Sequence, residues 1–208
     1  RGGCTLPEVR FAGFDEEWEK RKLGAIGKTY SGLSGKTKDD IGHGEGFFVT
    51  YMNVYSNPIA TESMTERVEL DSSQTEVSYG DVFFTISSET PEEVAMASVW
   101  LFETSDTYLN SFCFGFRPQQ DLLDPYFFAY ELRAPLFRGA VTFLAQGISR
   151  YNISKNRVMD IYVFFPGKSE QTAIGRLFRK LDDLITLHGQ KLEKLRHVKQ
   201  ALLGKMFV

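Results

Sequence analysis

From residue 170 to the end of the chain, Ile174, Leu181, His188, Leu195 and Leu202 recur at seven-residue intervals. Leu177/Phe178, Leu184/Ile185, Leu192, Val198 and Met206 follow three or four places behind them. Spacing that alternates three and four predicts one helix with an apolar seam and a polar remainder. No proline interrupts it, and only Gly175, Gly189 and Gly204 oppose helicity. At ~1.5 Å per residue the helix spans roughly 58 Å. The rest of the chain cannot cover a stripe of that length, so the seam predicts a partner helix.

The pattern before it is mixed. Residues 6–26 read as an extended apolar arm, then Asp15 as the cap of a short helix with Trp18 and Leu23 on one face. Residues 27–46, rich in glycine, lysine and hydroxyl side chains, predict an exposed loop. Residues 47–55 (FFVTYMNVY) predict a strand, followed by a polar, acidic connection to residue 78. Tyr79-Gly80-Asp81 predicts a turn into a strand at Val82–Ile86. Residues 89–102 carry helix-start signals at Thr90 and Pro91 but end in residues equally suited to a strand. Phe112–Phe116 predicts a buried strand, 126–137 a helix ended by Pro135, 139–154 a short helix followed by a polar loop, and Met159–Phe165 a last strand. These elements predict an α+β fold: a mixed domain with a small β-sheet over residues 1–168, then one long coiled-coil helix over 169–208.

Composition adds little to that picture until it is divided along the chain. The net charge is −3 over 208 residues, but residues 61–130 alone hold 13 acidic and only 2 basic groups. The segments 131–169 and 170–208 are each net positive, so a surface drawn from the flanks is compatible with phosphate binding. No apolar run approaches the ~20 residues needed to cross a bilayer, and the opening RGGCTLPEVR lacks the apolar core of a signal peptide. The expectation is a cytoplasmic protein with no membrane partner. Cys4 and Cys113 read as plain thiols rather than a disulfide framework.

Catalytic chemistry is hard to assemble from these residues. His43 sits in a glycine-rich loop, and His188 and His197 fall on different faces of the long helix. No histidine and cysteine spacing suits a metal. Adjacent carboxylates such as Glu92-Glu93 and Asp182-Asp183 diverge on a helix. The run Gly32-Leu33-Ser34-Gly35-Lys36-Thr37 has two residues between its glycines where a phosphate loop needs four. Asp124-Pro125-Tyr126-Phe127 is one proline short of the catalytic loop of amino-methyltransferases. The chain reads as a non-enzyme that binds neither metal nor cofactor.

The order of residues is more informative than any one motif. Pro7, Arg10, Phe11, Gly13, Phe14, Trp18, Arg21, Lys22, Leu23 and Gly24 open the chain, and Gly80-Asp81 precedes an apolar strand. Gln146-Gly147, Ser149-Arg150, Asn152-Ile153, a strand, Pro166 and Glu170-Gln171 then lead into the long helix. This order resembles one target-recognition domain with its helix, half of a specificity subunit of type I restriction-modification enzymes. The resemblance implies sequence-specific binding of double-stranded DNA, with the chain reading one half of a bipartite target. It implies partners too: methyltransferase subunits carrying S-adenosylmethionine, a restriction subunit using ATP, and a copy of the chain or a second half, paired antiparallel through the helices. For DNA contacts, chemistry and expected exposure select Lys28, Tyr30, Ser31, Lys36 and Lys38 in one loop and Gln146, Arg150, Asn152 and Lys155 in the other. For the helix interface they select Ile174, Leu177, Leu181, Leu184, His188, Leu195, Val198 and Leu202. An adaptor that dimerises through its tail and holds another protein is the competing expectation, and salt separates the two, since phosphate contacts weaken steeply with salt. The 13 carboxylates also admit a DNA mimic, although apolar strands interrupt them.

Overall fold

A computed structural model describes residues 6–119 and 121–207; Cys4 lies outside them. In chain order the elements are β1 (Glu19–Lys22), β2 (Gly27–Ser31), β3 (Ile41–Val49), α1 (Tyr51–Ser56), β4 (Thr65–Val68), β5 (Val82–Thr85), β6 (Ser87–Ser88), β7 (Ala97–Val99) and β8 (Thr107–Leu109). They continue as β9 (Cys113–Pro118), α2 (Pro125–Glu131), α3 (Pro135–Leu144), β10 (Tyr151–Asn152), α4 (Lys155–Met159), β11 (Tyr162–Phe165) and α5 (Lys168–Met206). The fold is α+β, as the sequence predicts, with several small sheets and one long C-terminal helix.

A four-stranded antiparallel sheet in the order β2-β9-β5-β7 forms the middle. Alternation along β5 divides the core in two. Val82 and Phe84 face a large cluster that holds Phe127, Phe128 and Leu132 of the α2 segment and Phe137 of α3, while Phe83 faces a second cluster with Trp100, Val49 and Leu109. The sheet β4-β3-β8 continues that second layer, with β3 and β8 parallel. Glycine at 115 is required by packing: a Cβ there would lie 2.1 Å from Cζ of Tyr30, whose ring fills the space.

Several predicted boundaries are displaced. The Asp15-capped helix does not form. Residues 19–22 instead pair antiparallel with β11, and the Leu23 N–H donates to Ile161 O at 2.9 Å. Residues 27–31 are a strand rather than part of a loop. In 47–55 the strand stops at Val49, because the Thr50 side chain accepts from Asn53 N–H and starts α1. The ambiguous stretch after Thr90 becomes a 3-10 turn and then strand β7. Pro135 starts α3 rather than simply ending α2, since proline suits the first helical turn. Met159 belongs to α4, and the last strand begins at Tyr162.

The root of α5 is fastened to the domain by its own side chains. Gln171 donates to Leu122 O and Pro166 O and accepts from Asp124 N–H, and Lys168 Nζ donates to Leu123 O. Asp124 caps α2 with one oxygen and accepts from Thr172 Oγ1 with the other. A Cβ at Gly175 would sit 2.9 Å from Phe127 N, so glycine lets the two helices approach there. Further along, Phe178 stacks on Tyr130 with ring centroids 4.7 Å apart. Beyond that stack α5 is exposed on all sides.

Glu131, at the end of α2, is largely buried, with one weak bond from Phe164 N–H at 3.5 Å. Burial lifts its carboxyl to about 7. A carboxyl raised on folding keeps a proton that the unfolded chain has lost between about 4.5 and 7, so stability falls as pH rises through that window. Glu131→Gln is expected to flatten this slope. The variant should be about 2 kcal/mol more stable than wild type at pH 8 and nearly equal to it at pH 5, read from urea midpoints.

Candidate nucleic-acid interface

The C-terminal ends of β2 and β5 and the N-terminal end of β9 meet at one end of the four-stranded sheet, where Ser31 faces Phe114 and Thr85 faces Cys113. The backbone continues this convergence past the strands. Leu33 N–H donates to Leu109 O, Ile86 N–H to Phe112 O, and Ile153 N–H to Ile86 O, all within 3.1 Å. A Cβ on Gly32 would lie 2.0 Å from Asn110 O, so glycine is needed for the first of these approaches. Gly32–Leu33, residues 110–112 and residues 146–154, about 80 and 40 residues apart in sequence, therefore emerge at one end of the sheet, while residues 34–40 run on toward 69–74, where Ser34 N–H donates to Gln74 and Asp40 O accepts from Glu69 N–H. The root of the first predicted loop and the whole of the second thus share that end.

The third loop is braced. Gln146 and Asn152 exchange two backbone hydrogen bonds of 2.9 Å, and β10 pairs with β6 across Asn152/Ser87 and Tyr151/Ser88. Gly147 has φ +152 and lies so close to Arg150 O that a Cβ would reach within 2.1 Å of it. The result is a closed tip carrying Ile148, 96% exposed, beside Ser149 and Arg150. The Arg150 guanidinium donates to Ser87 Oγ at 3.1 and 3.3 Å while staying open to solvent. Beside it runs a cleft of ≈790 Å³ floored by Tyr51, Tyr55, Ser87 and Ser88, with Glu93 and Arg150 on its walls. Tyr51 and Tyr55 stack at 5.9 Å, and Tyr51 donates to Ser87 O. The Tyr55 hydroxyl donates to Glu93, which raises its pKa, with desolvation adding to the shift.

The predicted contact residues separate by environment. Gln146, Arg150 and Asn152 lie together and exposed on the braced loop, and Lys155 is half-buried at the start of α4. Ser31 is exposed at the end of β2, and Lys38 is exposed in a 3-10 turn capped by Thr37 and Asp40. Lys28 is exposed but lies opposite Arg117, toward the far end of the strand. Lys36 is withdrawn, its side chain 13% exposed and 3.3 Å from Asp71. Tyr30 is not a loop residue. Its hydroxyl donates to Asp81 at 2.8 Å, and burial drives its pKa well up.

That tyrosine belongs to a buried network. Asp81 is fully enclosed, and Arg117 grips it with two bonds of 2.8 and 2.7 Å. The Tyr30 hydroxyl and the Ser78 N–H are its other donors. Two more basic residues of the positive flank are spent inside the domain. Arg133 donates to the carbonyls of Val54, Tyr55, Asn57 and Ala97, and burial lowers its pKa to about 10. Arg138 donates to those of Glu92, Val94 and Ala95. Among the predicted readers, Arg150 and Lys155 are the cations left to this end of the sheet, and Lys38 lies on the turn that meets residue 69.

Apolar residues missing from the predicted set stand here too. Phe112, expected inside a buried strand, is 60% exposed in the turn before β9, and Met52 is 52% exposed on α1. The signal for Phe112 was Asn110 and Ser111 just ahead of it: the Asn110 side chain accepts from Phe112 N–H and makes the turn. No group of three or more histidine, cysteine, aspartate or glutamate side chains is placed to hold a metal ion among the described residues. His43 is held between Glu69 and the Asp39 carbonyl, which raises its pKa, the carbonyl bond being the larger cause. No helix among the described residues is long and apolar enough to cross a membrane.

On α5 the seam divides in two. Ile174 packs against its own domain's core, so that position is not free for a partner. Leu177 borders the arm at residues 7–11, whereas Leu181, Leu184, His188, Leu195, Val198 and Leu202 are exposed, with no cover among the described residues.

The sequence profile of the type I restriction modification DNA specificity domain matches residues 15–197. No curated protein matches the chain in sequence. Among solved structures, the chain is similar to a type-I restriction-modification system S subunit from M. genitalium, at 15% identity and TM-score 0.61 over 98% of this chain and 48% of that one. It is similar to an HsdS subunit from Thermoanaerobacter tengcongensis, at 17% identity and TM-score 0.60 over 98% and 47%. A chain from a study of complex assembly and conformational transition of the type I R-M system matches at 18% identity and TM-score 0.61 over 93% and 47%. These likenesses are of fold, and this chain spans about half the length of each.

Proposed function

The chain belongs to the family of type I restriction modification DNA specificity domains, and from that premise we propose that it reads one half of a bipartite double-stranded DNA target without catalysing a reaction. In this reading residues 1–168 recognise the half-site, and residues 169–208 set the distance to a second recognition domain. The chain works in the cytoplasm and directs methyltransferase and restriction subunits to the site. S-adenosylmethionine and ATP serve those partners, and this chain carries no cofactor.

The observation that carries the proposal is the convergence of Gly32–Leu33, residues 110–112 and residues 146–154 at one end of the sheet, with Arg150, Gln146 and Asn152 on a braced loop. Arginine, glutamine and asparagine are the side chains that pair with base edges in two bonds, and a closed loop fixes the backbone that carries them before binding. Ser31, at the same end of the sheet, and Lys38, further along the same segment, serve as backbone contacts. Tyr30 and Lys36 leave the list, since both are bound within the domain. The long helix fits the spacing role, because ~58 Å exceeds the ~34 Å of one duplex turn.

Selection of bound duplexes from a random pool tests the proposal. Enrichment of a short half-site, with affinity that falls steeply as salt rises, is the expected result. Salt-insensitive capture of protein with no enriched DNA would favour an adaptor instead. Within the selected site, Arg150→Ala is expected to cost ~1–3 kcal/mol of specific binding and to relax the preference at one base pair. An unchanged titration would remove Arg150 as a reader.

A further inference from the structure

The braced loop that carries Gln146, Arg150 and Asn152 ends in an apolar side chain. Ile148 stands at its tip, 96% exposed, so it packs on almost nothing among the described residues. The side chains around it in sequence, Gln146, Ser149 and Arg150, are polar and exposed as well. The loop does not leave it to wander. Gln146 and Asn152 close the backbone with two bonds of 2.9 Å, Gly147 comes close against Arg150 O, and the Arg150 guanidinium is tied to Ser87 Oγ. Two further exposed apolar groups stand at this end: Met52 shares a cleft with Ser149 and Arg150, and Phe112 is joined through its carbonyl to Ile86. A β-branched side chain has few rotamers to lose, and burial against an apolar group would recover the free energy that its exposure to water costs.

We propose that Ile148 reads the C5-methyl group of a thymine in the major groove of the half-site. This rests on reading the chain as a DNA specificity domain and adds one feature of its target. Base edges in the major groove present hydrogen-bonding groups at every pair and a single apolar one, the thymine methyl. A loop whose arginine, glutamine and asparagine address the former offers its one exposed aliphatic side chain to the latter. A wedge between base steps is the other use of such a side chain, but wedges enter from the minor groove, whereas the two-bond partners of arginine, glutamine and asparagine lie in the major groove. Spacing limits where the thymine lies. The Cα atoms of Ile148 and Arg150 are at most ~7 Å apart, about two steps of ~3.4 Å along the duplex. The thymine therefore falls within about three base pairs of the pair that Arg150 reads.

Deoxyuridine in place of thymidine removes the methyl and nothing else from the base. With the full chain on its selected duplex, replacing the thymines one at a time is expected to weaken binding about fourfold at one position of the half-site. Ile148→Ala is expected to weaken binding to the unaltered duplex about tenfold and to abolish the difference between thymine and uracil at that position. Its urea midpoint should hardly move, since the side chain already meets water in the unbound domain. Position is a second readout, because the sensitive thymine should lie within about three base pairs of the pair whose preference Arg150→Ala relaxes. The proposal falls if no thymine methyl affects binding, if the loss on uracil persists in Ile148→Ala, or if the sensitive thymine lies outside that window. It falls equally if uracil duplexes bind as tightly and Ile148→Ala instead removes a rise in 2-aminopurine fluorescence at a base step, which marks a wedge. An enriched half-site with steep salt dependence keeps the specificity reading through any of these failures and removes only the methyl contact, whereas a pool with no enriched half-site removes both.

Discussion

Arg117→Ala is expected to destabilise the domain by about 3 kcal/mol, read as a shift in urea midpoint at unchanged slope. The cost comes less from the arginine than from what it leaves behind. Asp81 is enclosed, and Arg117 supplies two of its bonds and the only opposing charge in its network. Without it, Tyr30 and the Ser78 N–H must hold a buried carboxylate by themselves. The figure is placed at the low end for a broken buried pair because Arg117 is 45% exposed and already shares its charge with water. Tyr30→Phe, which removes one bond to a charged acceptor, is expected to cost ~1.5 kcal/mol and leave DNA affinity unchanged. If Tyr30→Phe instead keeps full stability and loses binding, the tyrosine reads DNA after all and the network is incidental. Arg117→Ala with an unshifted midpoint would mean that water takes over the carboxylate.

This network also explains why a reading of Tyr30 from sequence goes astray. Residues 27–46 look like a loop because glycine, lysine and serine crowd there. The space that makes Tyr30 a core residue is the missing side chain of Gly115, 85 positions away. Arg133 presents the same difficulty. It is one of several basic residues in a positive segment, and its carbonyl partners on and just after α1 lie 76–79 residues upstream. Strand β1 leaves no periodic trace, since all four of its side chains are exposed and its pairing with β11 is set from the other end of the domain. What is legible is local or strongly periodic. Gly80-Asp81 turns into β5, whose four buried residues allow no other use. The long helix is readable over nearly its whole length because each seven-residue repeat supports the next. The polar loop at 146–154 is legible as a loop from its composition. Its bracing through Gly147 and β6 is a tertiary fact.

Leu181→Asp with Leu195→Asp is expected to convert a dimer of about twice 23.7 kDa into a monomer by light scattering and to lower affinity for an inverted-repeat target by ~100-fold or more. Both side chains lie beyond the root of α5, 44% and 59% exposed, so the single chain gains charge where it already meets water and its unfolding midpoint should hardly move. In a pair the same positions face a second helix, and each buried aspartate is a desolvated charge with no designed partner. The loss on DNA exceeds that of any single base contact, because a joined pair binds its second half-site as an intramolecular event whose effective concentration disappears with the dimer. Two identical halves related by a two-fold axis must read an inverted repeat, so the target's symmetry becomes a second readout. The monomeric variant should retain weak binding to one half-site, since residues 32–40 and 146–154 lie far from the changed positions in the chain. A variant that stays dimeric would move the interface off the seam. A wild type that is already monomeric would assign the seam to a different second half, and the selected target would then be asymmetric.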